Sequence, residues 1–394
     1  MKKQTQAIHL EYERRDAYDS LSVPVYNTLA YEFDNAAVMA EAFTDKIKAP
    51  DYSRVENPTV TNLERRVAAL TDAAHTTAFN SGMAAISNTL MALAAQGKNI
   101  VTSKHLFGNT YALLVATLRR FGVKVRLRDL TNIEAVREAI DDDTCCVFLE
   151  ILTNPQLEVA DLKAISEVAH EKNVPLVVDS TVIPFTQFSA KSLGVDIEVV
   201  SSSKYVSGGA TSLGGLVIDY GTPYNGDFAK RLYGEMLFNF GAYMTPQVAY
   251  MQTIGLETLD ARYRVQSSNA LELAKKLRSL PQIKLVNYVG LEDNPYHELA
   301  QRQFGKTAGA MICIDLESKE ACFSFLNNLK LIHRATNLFD NRSLAIHPAS
   351  TIFGAFSESM RKSMDVKDTT IRLSLGLEDV DDLFEDIKQA VNSL

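Results

Sequence analysis

Val199-Val200-Ser201-Ser202-Ser203-Lys204-Tyr205-Val206-Ser207-Gly208-Gly209 is an apolar run that stops in a hydroxyl-rich turn carrying a lysine. Upstream, Pro175-Leu176-Val177-Val178 stops in the same way, at Asp179. Short aliphatic runs bounded by turn formers read as strands buried on both faces. Working outward, strands and helices alternate. Asn99-Ile100-Val101 reads as a strand, Thr110 to Arg120 as a helix, and Val123 to Leu127 as a strand. Ile133 to Ile140 reads as a helix, Cys145 to Leu149 as a strand, and Leu162 to His170 as a helix. Val174 to Val178, Glu198 to Val200 and Gly215 to Ile218 read as further strands. The alternation predicts an α/β fold with a largely parallel sheet covered by helices on both faces. Ligands in such sheets bind beyond the carboxyl ends of the strands, where Asp179 and Lys204 fall.

Residues 1 to about 50 lack periodicity and read as an extended arm. Asn57-Pro58 reads as an N-cap with proline at the first helical position, followed by Leu63, Val67 and Leu70 at helical spacing. Ala84 to Ala95, ending before Gly97, reads as a second and mostly buried helix. After about residue 245 the pattern changes. A helical stretch runs from Gln247 to Leu280, with Gly255 as its main breaker. Strand-like Lys284-Leu285-Val286 and Ala310-Met311-Ile312-Cys313-Ile314 follow, then an amphipathic helix near Val380 to Val391. The expected organisation is an arm over 1–56, a larger domain over 57–245 and a smaller α/β domain over 246–394.

The chain has 394 residues, 46% apolar and 22% charged, the make-up of a globular protein. A net charge of −8 gives no basic surface for nucleic acid. The N-terminus is followed by charged Glu11, Glu13, Arg14 and Arg15 and shows no apolar core of a signal peptide. No apolar run reaches the length of a membrane span. The four cysteines, Cys145, Cys146, Cys313 and Cys322, form no C-x-x-C pair and read as reduced thiols of a cytoplasmic protein. The seven histidines show no metal-ligand spacing.

A lysine at one strand end and an aspartate at another suit pyridoxal 5'-phosphate (PLP). The amine forms a Schiff base with the aldehyde, and the carboxylate keeps the pyridine nitrogen protonated. A lone Ser-Ser-Ser-Lys is more often a surface lysine after a buried strand, so the other segments decide. Phe79-Asn80-Ser81-Gly82-Met83-Ala84 places small residues at a helix start, which suits an anion or an ordinary cap. Tyr52-Ser53-Arg54 offers a hydroxyl and a guanidinium to a phosphate. Asn154, in Glu150-Ile151-Leu152-Thr153-Asn154-Pro155, is either a ring-hydroxyl partner or a plain turn residue. Arg372, in apolar Ile371-Arg372-Leu373-Ser374, suits a substrate carboxylate or a structural ion pair. Ser207 to Gly215 lacks the G-x-G-x-x-G spacing and precedes a strand-like run, which argues against a dinucleotide loop.

In combination these motifs resemble the Cys/Met-metabolism family of PLP-dependent enzymes. The resemblance runs from about Tyr26 to the C-terminus. It rests on Tyr52-Ser53-Arg54-x-x-Asn57-Pro58-Thr59, Ser81-Gly82-Met83-Ala84-Ala85-Ile86, Thr153-Asn154-Pro155 and Val178-Asp179-Ser180-Thr181. Ser201-x-Ser203-Lys204-Tyr205, Ser343-Leu344-x-x-His347-Pro348-Ala349-Ser350 and Ile371-Arg372-Leu373-Ser374-x-Gly376-x-Glu378 complete it. The resemblance implies a type I aminotransferase-like fold, with a mostly parallel seven-stranded sheet and a smaller C-terminal α/β domain. It also implies a homotetramer built from tight dimers with shared active sites. By the same resemblance Lys204 carries the cofactor, and Ser81-Gly82-Met83, Ser201 and Ser203 hold its phosphate. Tyr52 and Arg54 reach the phosphate of the neighbouring subunit. Asp179 pairs with the ring nitrogen, Asn154 with the ring hydroxyl and Arg372 with the substrate carboxylate.

Two positions depart from the family pattern. Phe107 stands where most members carry a tyrosine that stacks on the cofactor and is assigned acid/base work. Gly209 stands where sulfhydrylase relatives often carry a histidine. Methionine γ-lyases usually have a cysteine at the place of Asn109. Asn337 to Pro348 looks most like the O-acetylhomoserine sulfhydrylase branch. The expected reaction is therefore replacement of the acetate of O-acetylhomoserine by sulfide or another sulfur donor, in methionine biosynthesis. Cystathionine γ-synthase or γ-lyase, methionine γ-lyase, and a PLP-binding protein without turnover are the alternatives.

Overall fold

The computed structural model describes residues 1–10, 16–44 and 46–394. Glu11, Glu13, Arg14 and Arg15, cited above against a signal peptide, lie outside the described residues. The strands are β1 (His75–Phe79), β2 (Asn99–Thr102), β3 (Lys124–Leu127), β4 (Thr144–Glu150), β5 (Leu176–Asp179), β6 (Ile197–Val200) and β7 (Gly215–Asp219). They form a seven-stranded sheet in the order β1-β7-β6-β5-β4-β2-β3. The β2–β3, β2–β4, β4–β5 and β5–β6 pairs are parallel, and β7 runs antiparallel to both its neighbours. The expected α/β fold with a mostly parallel sheet is what the chain adopts.

Alternate residues of the central strands enter two different cores, as the two-residue period of a strand requires. Val147, Leu149, Leu176 and Val178 pack in one, and Cys146, Phe148, Val177, Ile197 and Val199 in the other. Helices cover both faces. Pro58–Thr71 starts where the sequence places it: Asn57 Oδ1 accepts the Thr59 N–H at 3.0 Å, and Pro58 occupies the first turn. Gly82–Leu93 starts at Ser81, whose Oγ accepts the Ala84 N–H at 3.1 Å.

The later part of the chain builds a second sheet from β8 (Leu285–Asn287), β9 (Met311–Asp315), β10 (His333–Arg334), β11 (Leu344–Ile346) and β12 (Thr370–Ser374), in the order β10-β11-β12-β9-β8. The Pro246–Leu277 helix runs unbroken through Gly255. The closing helix, Val380–Val391, has the expected bounds.

Two expectations are corrected. Residues 1 to about 50 are not simply an extended arm, because they contain helices Lys3–His9 and Ala36–Ala42. The first buries only Ala7 and is held by docking: Lys3 Nζ donates to the Phe185 and Phe188 carbonyls at 3.1 and 2.8 Å, and Gln4 to the Glu257 carbonyl at 3.1 Å. A helix with one buried residue leaves no apolar period to read. The helix expected over Thr110 to Arg120 is irregular. It begins at Gly108, widens over Leu113–Thr117 and tightens over Leu118–Phe121. The four cysteines are free thiols. Among the described residues no helix is long and apolar enough to cross a membrane, and no acid, histidine and cysteine cluster could hold a metal.

Candidate active site

The carboxyl ends of β4, β5 and β6 carry Glu150, Asp179 and, one residue on, Ser201. These ends open into a cavity of about 940 Å³ whose far wall comes from the second sheet and its loops, through Thr336, Asn337, Leu338, Thr351, Ile352, Ala355 and Arg372. Ser81, Gly82, Met83, Phe107, Asn154, Asp179, Ser201, Ser203, Lys204 and Arg372 all line it. Residues up to 291 positions apart in sequence thus meet in one space (81 to 372).

Tyr52 and Arg54 do not line the cavity of their own chain. Tyr52 is 40% exposed. The Arg54 guanidinium lies 5.5 Å from the centres of the Tyr52 and Phe238 rings and donates to the Phe238 carbonyl.

Lys204 is held from two sides. Its Nζ donates to Asn337 Oδ1 at 2.8 Å. Burial, and then the charge of Arg372, pull the amine down to about 8, so a useful fraction is unprotonated near neutrality. Behind it, Gly255 lets the long helix touch the loop: a Cβ there would collide with the Val206 carbonyl oxygen. Seven residues on, Arg262 donates to the Tyr205 carbonyl at 2.8 Å. The Tyr205 ring stacks on Phe339 at 4.0 Å and 6°. Phe339 has φ of +57°, a costly backbone state for a bulky residue that the stack helps to hold.

Asp179 accepts the Thr181 N–H at 2.9 Å, and Thr181 Oγ1 accepts the Ser201 N–H at 2.8 Å. Burial raises the Asp179 carboxyl above its ordinary value. A cationic ring nitrogen alongside would offset that cost. Next to Ser201 lie Gly82 and Met83, the first residues of a twelve-residue helix, where N–H groups have no intrahelical partner. A Cβ on Gly82 would lie 2.6 Å from the Ser201 Cβ, so only glycine leaves this cradle open. The Ser203 hydroxyl donates to the Gly214 carbonyl at 3.1 Å and accepts the Gly214 N–H at 2.9 Å. It therefore also fixes the loop behind the cradle.

Arg372 lines the cavity from β12. It is 2% exposed and, among the described residues, makes no ion pair with a carboxylate. Its Nη1 donates to Asn154 Oδ1 at 3.3 Å, its Nη2 to the Thr336 and Asn337 carbonyls at 3.2 and 3.3 Å, and its Nε has no partner. Burial lowers it to about 10. A buried guanidinium met only by carbonyl oxygens keeps donor capacity that an anion could use.

Three cavity residues carry geometry that their sequence positions do not announce. Glu150 is buried and accepts the Phe107 N–H at 2.5 Å. Thr181 joins Asp179 to Ser201, and Asn337 holds Lys204. All three sit inside motifs read for other residues. Their partners come from register and loop packing, which the sequence does not display. Gly209 has little room: a Cβ there would stand 3.2 Å from Asn341 Nδ2, so a larger side chain must push Asn341 aside.

The cavity thus combines an anion cradle, a buried acid, a partly neutral lysine and a flat aromatic wall, the set that a phosphorylated pyridine aldehyde requires. Comparison with known proteins agrees. Residues 4–392 match the family model of the Cys/Met metabolism PLP-dependent enzymes. The chain belongs to that family. It is a PLP-dependent enzyme of γ-elimination and γ-replacement type. It is 37% identical to an L-methionine gamma-lyase of Fusobacterium nucleatum over 99% of this chain and 98% of that protein. It is 31% identical to the O-acetyl-L-homoserine sulfhydrylase of Corynebacterium glutamicum, over 98% and 95%. Among solved structures, a proposed O-acetylhomoserine (thiol)-lyase of Campylobacter jejuni superposes with a TM-score of 0.95 at 34% identity over the whole of both chains. That structure contains N'-pyridoxyl-lysine-5'-monophosphate.

Proposed function

We propose that this enzyme replaces the acetoxy group of O-acetyl-L-homoserine with sulfide, giving L-homocysteine and acetate. The observation that carries the reading is Phe107. It lines the cavity beside Asn109, and among the described residues of the same chain no tyrosine does. At the Phe107 position a leaving group therefore finds no phenolic proton donor. Acetate tolerates that, since carboxylic acids ionise at about pH 4, whereas a thiolate leaves with a pKa of about 8.5 and gains more from protonation. Among the described residues of one chain the cations lining the cavity are Lys204 and Arg372, one for cofactor and proton work and one for the amino-acid carboxylate, while Arg54 of a neighbour would serve the cofactor phosphate. That fits an uncharged acyl group better than a succinyl or phosphoryl one.

PLP, when bound, supplies the electron sink that makes the protons at Cα and Cβ acidic. The chain's residues divide the remaining work. Ser81, Gly82, Met83, Ser201 and Ser203 would hold the cofactor phosphate, Asp179 would pair with the ring nitrogen, and Asn154 would offer its amide nitrogen to the ring hydroxyl. Arg372 holds the substrate carboxylate. Lys204, released by the substrate amine, takes a proton from Cα and returns it. At Cγ the C–O bond breaks with its electron pair on acetate, and a C–S bond forms from sulfide. The net change converts one ester and one hydrogen sulfide to one thiol and one acetic acid.

Tyr52, exposed in its own chain, and Arg54, half-buried beside it, complete the phosphate site of a neighbouring subunit in a dimer, and two such dimers form the tetramer. The order of the chain's segments supports domains over 57–245 and 246–394 with an N-terminal segment over 1–56.

The test is Phe107→Tyr. With a hydroxyl restored, cleavage of cystathionine should rise relative to acetate replacement, by up to ~100-fold if the phenol reaches the leaving sulfur. An unchanged ratio, with Phe107→Tyr folded and loaded with cofactor, would remove the argument from Phe107.

A further inference from the structure

Glu150 is a buried acid to which the scheme above gives no task. It closes β4, and its register partner across the sheet is Asp179, which closes β5. Both line the cavity. Glu150 Oε1 accepts the backbone N–H of Phe107 at 2.5 Å, and Phe107 lines the same space. One carboxyl therefore ties the loop bearing the aromatic wall to the strand end beside Asp179.

The surrounding charges are Asp179 beside it, Lys204 and Arg372 on the cavity wall, and Glu158 on the side away from the cavity. Glu158 is engaged by His105 Nδ1 at 2.5 Å. Burial and the Asp179 charge push Glu150 up to about 8. Two carboxyls on adjacent buried strand ends do not both ionise readily. If one keeps its proton, chemistry chooses which. Asp179 faces the ring nitrogen and is useful as an anion. Glu150 accepts a backbone N–H, which a neutral carboxyl does as well.

We propose that Glu150 is a positioning residue that sets Phe107 against the cofactor ring as a neutral carboxylic acid, leaving the negative charge of the pair on Asp179. The proposal rests on the reading of Phe107 as the stacking face and Asp179 as the ring-nitrogen partner.

The experiment dilutes holoenzyme into cofactor-free buffer and follows the loss of the absorbance of lysine-bound cofactor. Phe107→Ala should speed cofactor loss about fivefold, the value of an aromatic contact of about 1 kcal/mol. Glu150→Ala should speed it by a similar factor. The double variant should be no faster than Phe107→Ala within about twofold, because both changes remove one contact. Glu150→Gln should stay within about twofold of the unmodified protein. Its amide carbonyl accepts the Phe107 N–H, and its amide N–H donors replace the acid proton. It also serves as the variant expected to fold if Glu150→Ala does not. Multiplying effects in the double variant would show that Glu150 acts independently of Phe107 and would overturn the proposal. Cofactor loss from Glu150→Gln as fast as from Glu150→Ala would show that the charge is needed, with the same consequence. If Phe107→Ala alone changes nothing, the stacking reading falls and the proposal with it. A failure confined to Glu150 looks different: Phe107→Ala accelerates cofactor loss and Glu150→Ala does not.

Discussion

Lys204→Ala should lower turnover by at least ~10⁴-fold, the upper range for removing a general base, because the same amine also carries the cofactor. Borohydride reduction of the unmodified protein should label Lys204, and Lys204→Ala should take no label. The variant should still fold. The lysine amine makes a single side-chain hydrogen bond, to Asn337, and burial already disfavours its charge. Lys204→Ala also tests the shared site. Arg54→Ala alone should be nearly inactive if Arg54 serves the neighbouring chain. Refolded together, the two variants place an intact Lys204 and an intact Arg54 in one of the two sites of each mixed dimer. With random pairing about a quarter of the sites are restored, and activity should recover to about that fraction. No recovery, with mixed dimers confirmed, would put Arg54 at work inside its own chain.

Arg372→Leu should cut kcat/KM by ~10²- to 10³-fold, mostly through KM. It removes the partner of a buried substrate carboxylate, a loss of roughly 3–5 kcal/mol at its largest. Arg372→Lys should recover little, because a single ammonium cannot reproduce the planar fork. The sign of the stability effect separates substrate binding from structure. Arg372 is buried without a carboxylate partner among the described residues. Replacing it with leucine should leave the thermal midpoint of the substrate-free enzyme unchanged or raise it. A large drop in the midpoint with KM unaffected would return Arg372 to a structural role.

The sequence showed its strands best where burial is symmetric. β4, β5 and β6 lie inside the sheet with both faces covered, so their residues form continuous apolar runs that end at polar positions. β1 was not legible. Only its last two residues, Ala78 and Phe79, are apolar, and it pairs with β7 alone at the sheet edge. β12 was read only as an apolar stretch around Arg372, since a charge in mid-strand interrupts the apolar run. The Lys3–His9 helix has no period to read because docking against the Pro58–Thr71 and Pro246–Leu277 helices, rather than an apolar face, fixes it.

The expected site residues that line the cavity could be named from the sequence through the family resemblance. What they do to one another could not be read there. Glu150 stands four residues before Asn154 in plain view, yet its meaning depends on being register partner to Asp179 and on the Phe107 N–H 43 positions away. Likewise, Asn337 gains its role only when the second sheet brings it within 2.8 Å of Lys204. Local propensity does not encode such meetings. They are set by the order of strands and the path of loops between two sheets.

One preparation of purified enzyme, assayed side by side on O-acetylhomoserine with sulfide and on methionine and cystathionine without it, decides whether acetate is the leaving group and sulfide the incoming one. Homocysteine and acetate should form from the first with kcat/KM at least ~10-fold above the formation of 2-oxobutanoate from either of the others. Faster release of 2-oxobutanoate from methionine or cystathionine would contradict this reading and make the enzyme a γ-lyase.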